Sequence, residues 1–280
     1  MGQVLFVVWR ESFEALLVVG IIYAWIKRSP TPKQGMKYLW GGVIVGILLS
    51  ILLALSIYGV FSSLEDIWQS LFMVMMEIIA CLLIVQMVYW MNKQGKSLKA
   101  NIENELTQKT QQQSVWGILL IIAIAIAIAR EGSEVVVFLS SHIMALTAQT
   151  ALPFLIEVFI GLLIAGLTLW LFLLTSKMIS WRKFFVITGF LLLFLAVSLL
   201  LKAVEEIANL LIEMDIELPD FLIYPLWDLS HILDDSSIFG NFLVSFFAYR
   251  SQPIGLSVVT FIVFWLVVAL LFKQGDRHAK

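Results

Sequence analysis

Long apolar stretches separated by short polar connections run through almost the whole chain. A helix needs about 20 residues to cross the ~30 Å hydrocarbon core of a bilayer. Stretches of that length lie near residues 4–26, 38–61, 67–91, 115–141, 152–176, 184–204 and 254–272. They are apolar all round, and a backbone in lipid must satisfy its own hydrogen bonds. The pattern therefore predicts an all-α polytopic membrane protein with seven transmembrane helices, forming one domain over residues 1–280.

Composition agrees with this prediction, since 61% of the residues are hydrophobic and only 14% are charged. Such a balance excludes a soluble globular domain. The polar, Gln-rich segment 94–114 is typical of a solvated cytoplasmic loop. Cys81 is the single cysteine, so the chain has neither an internal disulfide nor a thiolate-rich site for a soft metal.

The basic residues predict the orientation of the helices. Fourteen of the eighteen lie in four alternate segments: Lys27, Arg28, Lys33 and Lys37; Lys93, Lys96, Lys99 and Lys109; Lys177, Arg182 and Lys183; Lys273, Arg277 and Lys280. Cytoplasmic loops carry such an excess of lysine and arginine. The intervening connections hold many acidic residues and one basic residue, Arg250. We therefore expect the N-terminus outside and the C-terminus inside.

The pattern Arg-Glu-x-x-Glu occurs twice, at residues 10–14 and 130–134, each time within an apolar stretch. In the predicted orientation the two copies lie on antiparallel helices, and each opens a group of three spans. This arrangement predicts a 3+3 inverted repeat with the seventh helix appended. Arg130 lies deeper in its span than Arg10 does, so strict symmetry requires the fourth helix to be broken or to begin later.

The motifs supply carboxylates where charge is expensive, because an ionised residue near the bilayer centre costs at least ~2.5–3.5 kcal/mol. On a helix, Arg10, Glu11 and Glu14 project within one face, so the arginine can orient a carboxylate and leave oxygens free. Oxygen ligands suit hard cations such as ferric or ferrous iron, manganese, calcium or magnesium. The predicted metal ligands are Glu11, Glu14, Glu131 and Glu134, with Arg10 and Arg130 as orienting residues.

Two other interpretations use the same residues. The arginine–glutamate pairs could hold helices together in a membrane scaffold or assembly subunit that transports nothing. The glutamates could also relay protons without any metal. Two copies of the motif at the head of two matching halves favour a transport site over both alternatives, since ionisable residues within a membrane are usually functional.

Weaker signals lie outside the motifs. Glu77, in the third span, is a candidate for the ion path or for a bond between helices. Glu205 and Glu206 follow the sixth span and are candidates for an entry site, with Lys202 one turn away as their counter-ion or as a snorkelling side chain. The outer loop 205–253 is acidic at first and aromatic later, which indicates an interfacial or re-entrant helix.

The two motifs, in the first and fourth of seven helices, resemble those of the oxidase-dependent iron permeases, a family with fungal and bacterial members. Residues 89–91, 202–206 and 228–240 and Tyr249 add to the resemblance, which spans nearly the whole chain. It implies iron uptake across the cytoplasmic membrane, with the four motif glutamates as iron-binding residues. A permease for another divalent metal, such as lead or manganese, stays open as an alternative.

Other functional classes leave no mark on the sequence. It contains no nucleotide-binding loop, catalytic triad or nucleic-acid patch, so we expect a multi-pass cell membrane permease and not an enzyme. It also lacks a haem or flavin motif, and iron is expected as a substrate and not as a bound cofactor. Redox chemistry would then come from a partner, an extracytoplasmic oxidase or iron-delivery protein.

Overall fold

The computed structural model describes residues 2–29, 32–94, 116–174, 181–216, 219–235 and 237–277. Their helices are α1 Gln3–Lys27, α2 Pro32–Ser62, α3 Asp66–Gln94, α4 Trp116–Met144, α5 Ala151–Leu174, α6 Trp181–Glu213, α7 Asp220–Ile223, α8 Ile238–Phe247 and α9 Gly255–Arg277. Apart from an isolated bridge between Pro225 and Ile254, they contain no strand pairing. The all-α prediction is confirmed. The predicted loop 94–114 lies almost wholly outside the described residues, as do Lys96, Lys99, Lys109, Lys177 and Lys280.

Each apolar stretch found in the sequence is helical wherever it is described, and two helices extend well beyond their predicted spans. α2 begins at Pro32, where a proline costs little because the first helical N–H has no partner within the helix. α6 continues to Glu213, past the predicted end at residue 204. Glu205 and Glu206 are therefore part of a helix and not of a loop that follows it.

Within the described residues, five helical segments are long and apolar enough to cross a membrane: Pro32–Ser62, Asp66–Trp90, Ala151–Leu171, Val186–Glu213 and Gly255–Lys273. The protein is thus a multi-pass membrane protein. α1 and α4 are as long, but each carries an Arg-Glu-x-x-Glu block with three ionisable side chains. The sequence predicts that these two helices also cross the membrane, and this stays a prediction.

The chain forms two compact units. The first, which we call the motif unit, comprises Val4–Val60 and Gln94–Trp181 and contains α1, α2, α4 and α5. The second unit comprises Met1–Gln3, Phe61–Lys93 and Arg182–Lys280 and contains α3 and α6 to α9. Both Arg-Glu-x-x-Glu motifs lie in the motif unit. The single-domain prediction for residues 1–280 stays a prediction.

Glycines bring α2 close to α4 in the motif unit. A Cβ at Gly42 would lie 2.7 Å from the Cβ of Ile124, and one at Gly46 would lie 2.6 Å from the Cβ of Ile128. Only glycine permits backbones to approach so closely, as is common between membrane helices. Both isoleucines belong to the buried core of this unit, together with Ile22, Ile26, Leu39 and Leu120. This packing fixes α2 beside the motif of α4.

α4 is unbroken from Trp116 to Met144. Arg130 therefore lies near its middle, whereas Arg10 lies in the first half of α1. The break or later start that strict symmetry requires does not occur in this helix. The two motifs accordingly sit at different depths of their helices.

In the second unit, α8 forms the helix that the aromatic part of segment 205–253 predicts. Ser237 caps its start by accepting a hydrogen bond from the Gly240 N–H at 2.9 Å. The Ser198 hydroxyl of α6 donates to the Val244 carbonyl at 2.8 Å and ties α8 to α6. This hydrogen bond anchors α8 to α6 through the α8 backbone.

Candidate cation site in the motif unit

Arg10 joins both glutamates of its own motif. Its Nη1 lies 2.6 Å from Glu11 Oε1 and its Nη2 lies 2.6 Å from Glu14 Oε1. Arg10 and Glu11 are almost wholly buried, with side-chain exposures of 1% and 0%. The planar guanidinium thus spans two carboxylates and fixes their positions, the geometry for which arginine is suited.

The second motif is held less tightly. Arg130 Nε lies 3.3 Å from Glu134 Oε1, and the Arg130 side chain is 47% exposed while Glu134 is 8% exposed. The Ser133 hydroxyl donates to the Arg130 carbonyl at 2.7 Å and so satisfies itself locally. In the second motif this ion pair joins Arg130 to Glu134, whereas Arg10 bridges the two glutamates of its own motif.

The structure brings carboxylates of the two motifs together. One oxygen each from Glu11, Glu14 and Glu131 lies within 4.8 Å of the other two. We call these three residues the carboxylate cluster. Glu134, the fourth predicted ligand, is not one of the three, although it interacts electrostatically with Glu11 and Glu14. Sequence analysis predicted that the motifs face each other, but not which three glutamates meet.

Several buried carboxylate oxygens have no hydrogen-bond donor among the described residues: Glu11 Oε2, Glu131 Oε2 and Glu134 Oε2. A buried acceptor without a donor is costly, and one that carries charge more so. The two motifs supply four carboxylates and two guanidinium groups, so their formal charge is negative when all are ionised. Convergent oxygens with excess negative charge are what a hard cation requires, so the residues present fit such an ion.

A cavity of about 260 Å³ adjoins the carboxylate cluster. Glu11 and Glu131 form part of its wall, with Ser12 of α1, Ser50 of α2 and Gly132 of α4. A Cβ at Gly132 would overlap the Ser50 side chain. Glycine at position 132 thus lets the Ser50 side chain of α2 lie against α4. The cavity leaves space for an ion with part of its hydration shell.

The other predicted residues lie in the second unit. Glu77 is buried, with 4% of its side chain exposed, and its Oε1 lies 2.6 Å from Lys202 Nζ. The prediction of Lys202 as counter-ion of Glu205 and Glu206 is therefore corrected, because the observed partner is on α3. Lys202 itself is 57% exposed, and its ammonium group binds the buried Glu77 carboxylate. Snorkelling of Lys202 to the membrane interface stays a prediction.

Glu205 has a partner that sequence analysis missed. Arg250 Nε donates to its two oxygens at 3.0 and 3.2 Å, and the Ser257 hydroxyl donates to Oε1 at 3.0 Å. The signal available was that Arg250 is the one basic residue in the predicted outer connections. These contacts tie α6 to the start of α9. The role of Glu77, Glu205 and Glu206 in ion passage stays a prediction.

Comparisons with known proteins agree with the chemistry of this site. The sequence model of the "Iron permease FTR1 family" matches residues 1–274. A "Ferrous iron permease EfeU" of Yersinia pestis is 26% identical over 278 residues, covering 97% of this chain and 93% of the relative. The protein of that name from Escherichia coli O157:H7 is 24% identical over 268 residues, covering 96% of this chain and 94% of the relative. No solved structure matches the chain.

Proposed function

The chain belongs to the iron permease FTR1 family, and we propose from this premise that it imports iron across the cell membrane through the carboxylate cluster. The observation that carries the proposal is the convergence of Glu11, Glu14 and Glu131, whose oxygens lie within 4.8 Å of one another. Iron is the substrate here. Oxygen ligands bind both of its common oxidation states.

Each residue of the motifs has a distinct role in this proposal. Glu11, Glu14 and Glu131 supply oxygens to the ion, and Glu134 adds a fourth carboxylate beside them. Arg10 orients two of these groups and Arg130 orients one. The arginines also limit the repulsion among the carboxylates when no ion is present, since like charges at close range raise one another's free energy.

We further propose that seven helices cross the membrane, with the N-terminus outside and the C-terminus inside, as an inverted repeat of three plus three helices and one more. The division of the chain supports the repeat. The motif unit holds the first two helices of each proposed triplet, α1 with α2 and α4 with α5, while α3 and α6 lie together in the second unit. The basic residues support the orientation.

The relatives' names suggest which ion to offer first. They are ferrous iron permeases, so we propose Fe²⁺ as the species that reaches the membrane. The proposed partner is an extracytoplasmic oxidase or iron-delivery protein. Such a partner would supply the redox chemistry, for which this chain has no haem or flavin motif. Manganese and lead are the alternative substrates, because carboxylate oxygens select weakly among divalent cations.

Radioactive iron uptake tests the proposal. Cells that lack other iron importers would express the chain and receive labelled iron, with and without an excess of unlabelled manganese or lead. We expect iron accumulation that depends on the chain. Strong competition by manganese or lead would favour that ion as the substrate instead. Equal uptake with and without the chain, at normal amounts in the membrane, would favour the non-transporting scaffold instead.

A further inference from the structure

A second, smaller cavity continues the one beside the carboxylate cluster. It measures about 10 Å³, roughly the space of one water molecule. The two cavities share Ala54 of α2 and Val136 of α4 as lining residues. Both are lined mainly by apolar residues. We treat the two as one groove, which we call the α2–α4 groove. It runs from Glu11 and Glu131 towards the C-terminal ends of both helices.

Two carboxylates, Glu11 and Glu131, lie at one end of the groove. Glu11 is wholly buried and forms part of the cavity wall. Its Oε2 accepts no hydrogen bond from the described residues. Nearer the N-terminal ends of the two helices, Gly42 and Gly46 bring α2 into contact with Ile124 and Ile128 of α4. The seam between α2 and α4 is closely packed at Gly42 and Gly46 and again at Gly132, which meets Ser50 in the wall of the groove.

Hydroxyl groups along the groove present acceptors. The Ser50 hydroxyl donates to the Gly46 carbonyl at 3.0 Å, and the Ser140 hydroxyl donates to the Val137 carbonyl at 2.7 Å. Because each proton is directed at the backbone of its own helix, the oxygen lone pairs remain for another partner. Tyr58 adds a third hydroxyl near the end of α2. Oxygen acceptors spaced along a groove can replace water molecules lost by a hard cation.

We propose that the α2–α4 groove is the route by which the iron ion reaches the carboxylate cluster from outside the cell. This inference rests on the proposed function and on the proposed orientation, in which the C-terminal ends of α2 and α4 face outwards. Ala54 lines both cavities and so marks their junction, where a larger side chain would close the route. Ser140 lies on the outer side of that junction.

Thiol chemistry tests the route, because Cys81 is the only native cysteine, is buried and belongs to the second unit. In a Cys81→Ala parent, Ala54→Cys and Ser140→Cys would each be treated from outside with a membrane-impermeant, positively charged methanethiosulfonate. We expect labelling of both and a loss of iron uptake of at least about fivefold. Prior addition of Fe²⁺ should slow the labelling of Ala54→Cys, since the ion and the reagent would share one path.

Two controls make the result specific. Ser63→Cys, just beyond α2, should be labelled without loss of uptake. In a reagent-free comparison, Ala54→Phe should reduce uptake at least about tenfold, whereas Leu55→Phe should not, because Leu55 is 64% exposed on another face of the same helix. Membrane amounts of all variants would be measured alongside.

The outcomes separate this inference from the proposed function. Iron uptake by the Cys81→Ala parent establishes transport independently of the route. The route would be overturned if the parent transports iron and neither groove cysteine is labelled, or if both are fully labelled with unchanged uptake. Absence of uptake by the parent and the unmodified chain alike, at normal membrane amounts, would instead contradict the proposed function.

Discussion

Ser50 of α2 and Gly132 of α4 touch so closely that any side chain at position 132 would overlap the serine. Gly132 belongs to the second Arg-Glu-x-x-Glu block, and Ser50 lies in the wall of the cavity that this block adjoins. The contact therefore sets how near α2 approaches the carboxylates. It also couples the motif to a helix that contributes no charge to it.

Gly132→Ala should impair both folding and uptake. Alanine favours a helix over glycine by about 1 kcal/mol, but overpacking costs about 1–3 kcal/mol, so the overlap with Ser50 should win. Gly166→Ala is the matched control, because a Cβ there meets no described atom within 4 Å. We expect a lower melting temperature in detergent for Gly132→Ala and an unchanged or higher one for Gly166→Ala. Equal melting temperatures would mean that α2 can shift freely.

Glu14→Gln and Glu131→Gln should each abolish iron uptake. Glutamine keeps the size of the side chain but removes the charge that a hard cation requires. Glu134→Gln should also abolish uptake, because it removes the fourth carboxylate and the partner of Arg130. Glu157→Gln, on α5, is the control with normal uptake. Labelled iron accumulation per amount of membrane protein is the measurement, and transport by all three motif variants would make the glutamates structural.

Arg10→Lys should damage transport more than Arg130→Lys. The Arg10 fork holds Glu11 and Glu14 through different nitrogens, which the single ammonium of lysine cannot reproduce. Arg130 is half exposed, and its Nε lies 3.3 Å from Glu134. We expect a loss of at least about tenfold for Arg10→Lys and a smaller loss for Arg130→Lys, with both proteins inserted. Equal, wild-type rates would show that only charge balance matters.

Lys202→Met should lower stability by about 1–3 kcal/mol, because it leaves the buried Glu77 carboxylate without its observed partner. Adding Glu77→Gln should restore part of the loss, since the double variant buries no unpaired charge. Melting temperatures of the two single variants and the double variant form a thermodynamic cycle. Additive effects would mean that the 2.6 Å ion pair contributes little.

Reporter fusions test the orientation. A reporter that is active only in the cytoplasm should work after Lys280 and fail after Asp215, because most basic residues lie in the four segments assigned to the cytoplasm. The opposite pattern would reverse the direction in which the α2–α4 groove opens. It would leave the carboxylate cluster itself unaffected.

Hydropathy predicted where the helices lie because an apolar run in lipid has one way to satisfy its backbone. The repeated motif predicted that two groups of carboxylates would meet, and the structure places them together. Hydropathy says nothing about the rotation of each helix about its axis, and that rotation decides which side chains face each other. For this reason Glu131 and not Glu134 joins Glu11 and Glu14, and Lys202 pairs with Glu77, far away in the sequence. The length of α6 was also underestimated, because Glu205 and Glu206 end its apolar pattern without ending the helix.

Glu11 and Glu131 each have a buried carboxylate oxygen without a hydrogen-bond donor among the described residues. The thermal stability of this protein should therefore report which ions bind there. An ion that binds only the folded state raises the free energy of unfolding by about 2.7 kcal/mol at a hundred times its dissociation constant. Melting curves recorded with a series of metal salts would therefore rank affinities in purified protein, where no gradient, oxidase or living cell contributes. Such a ranking would separate what the site prefers from what the cell supplies.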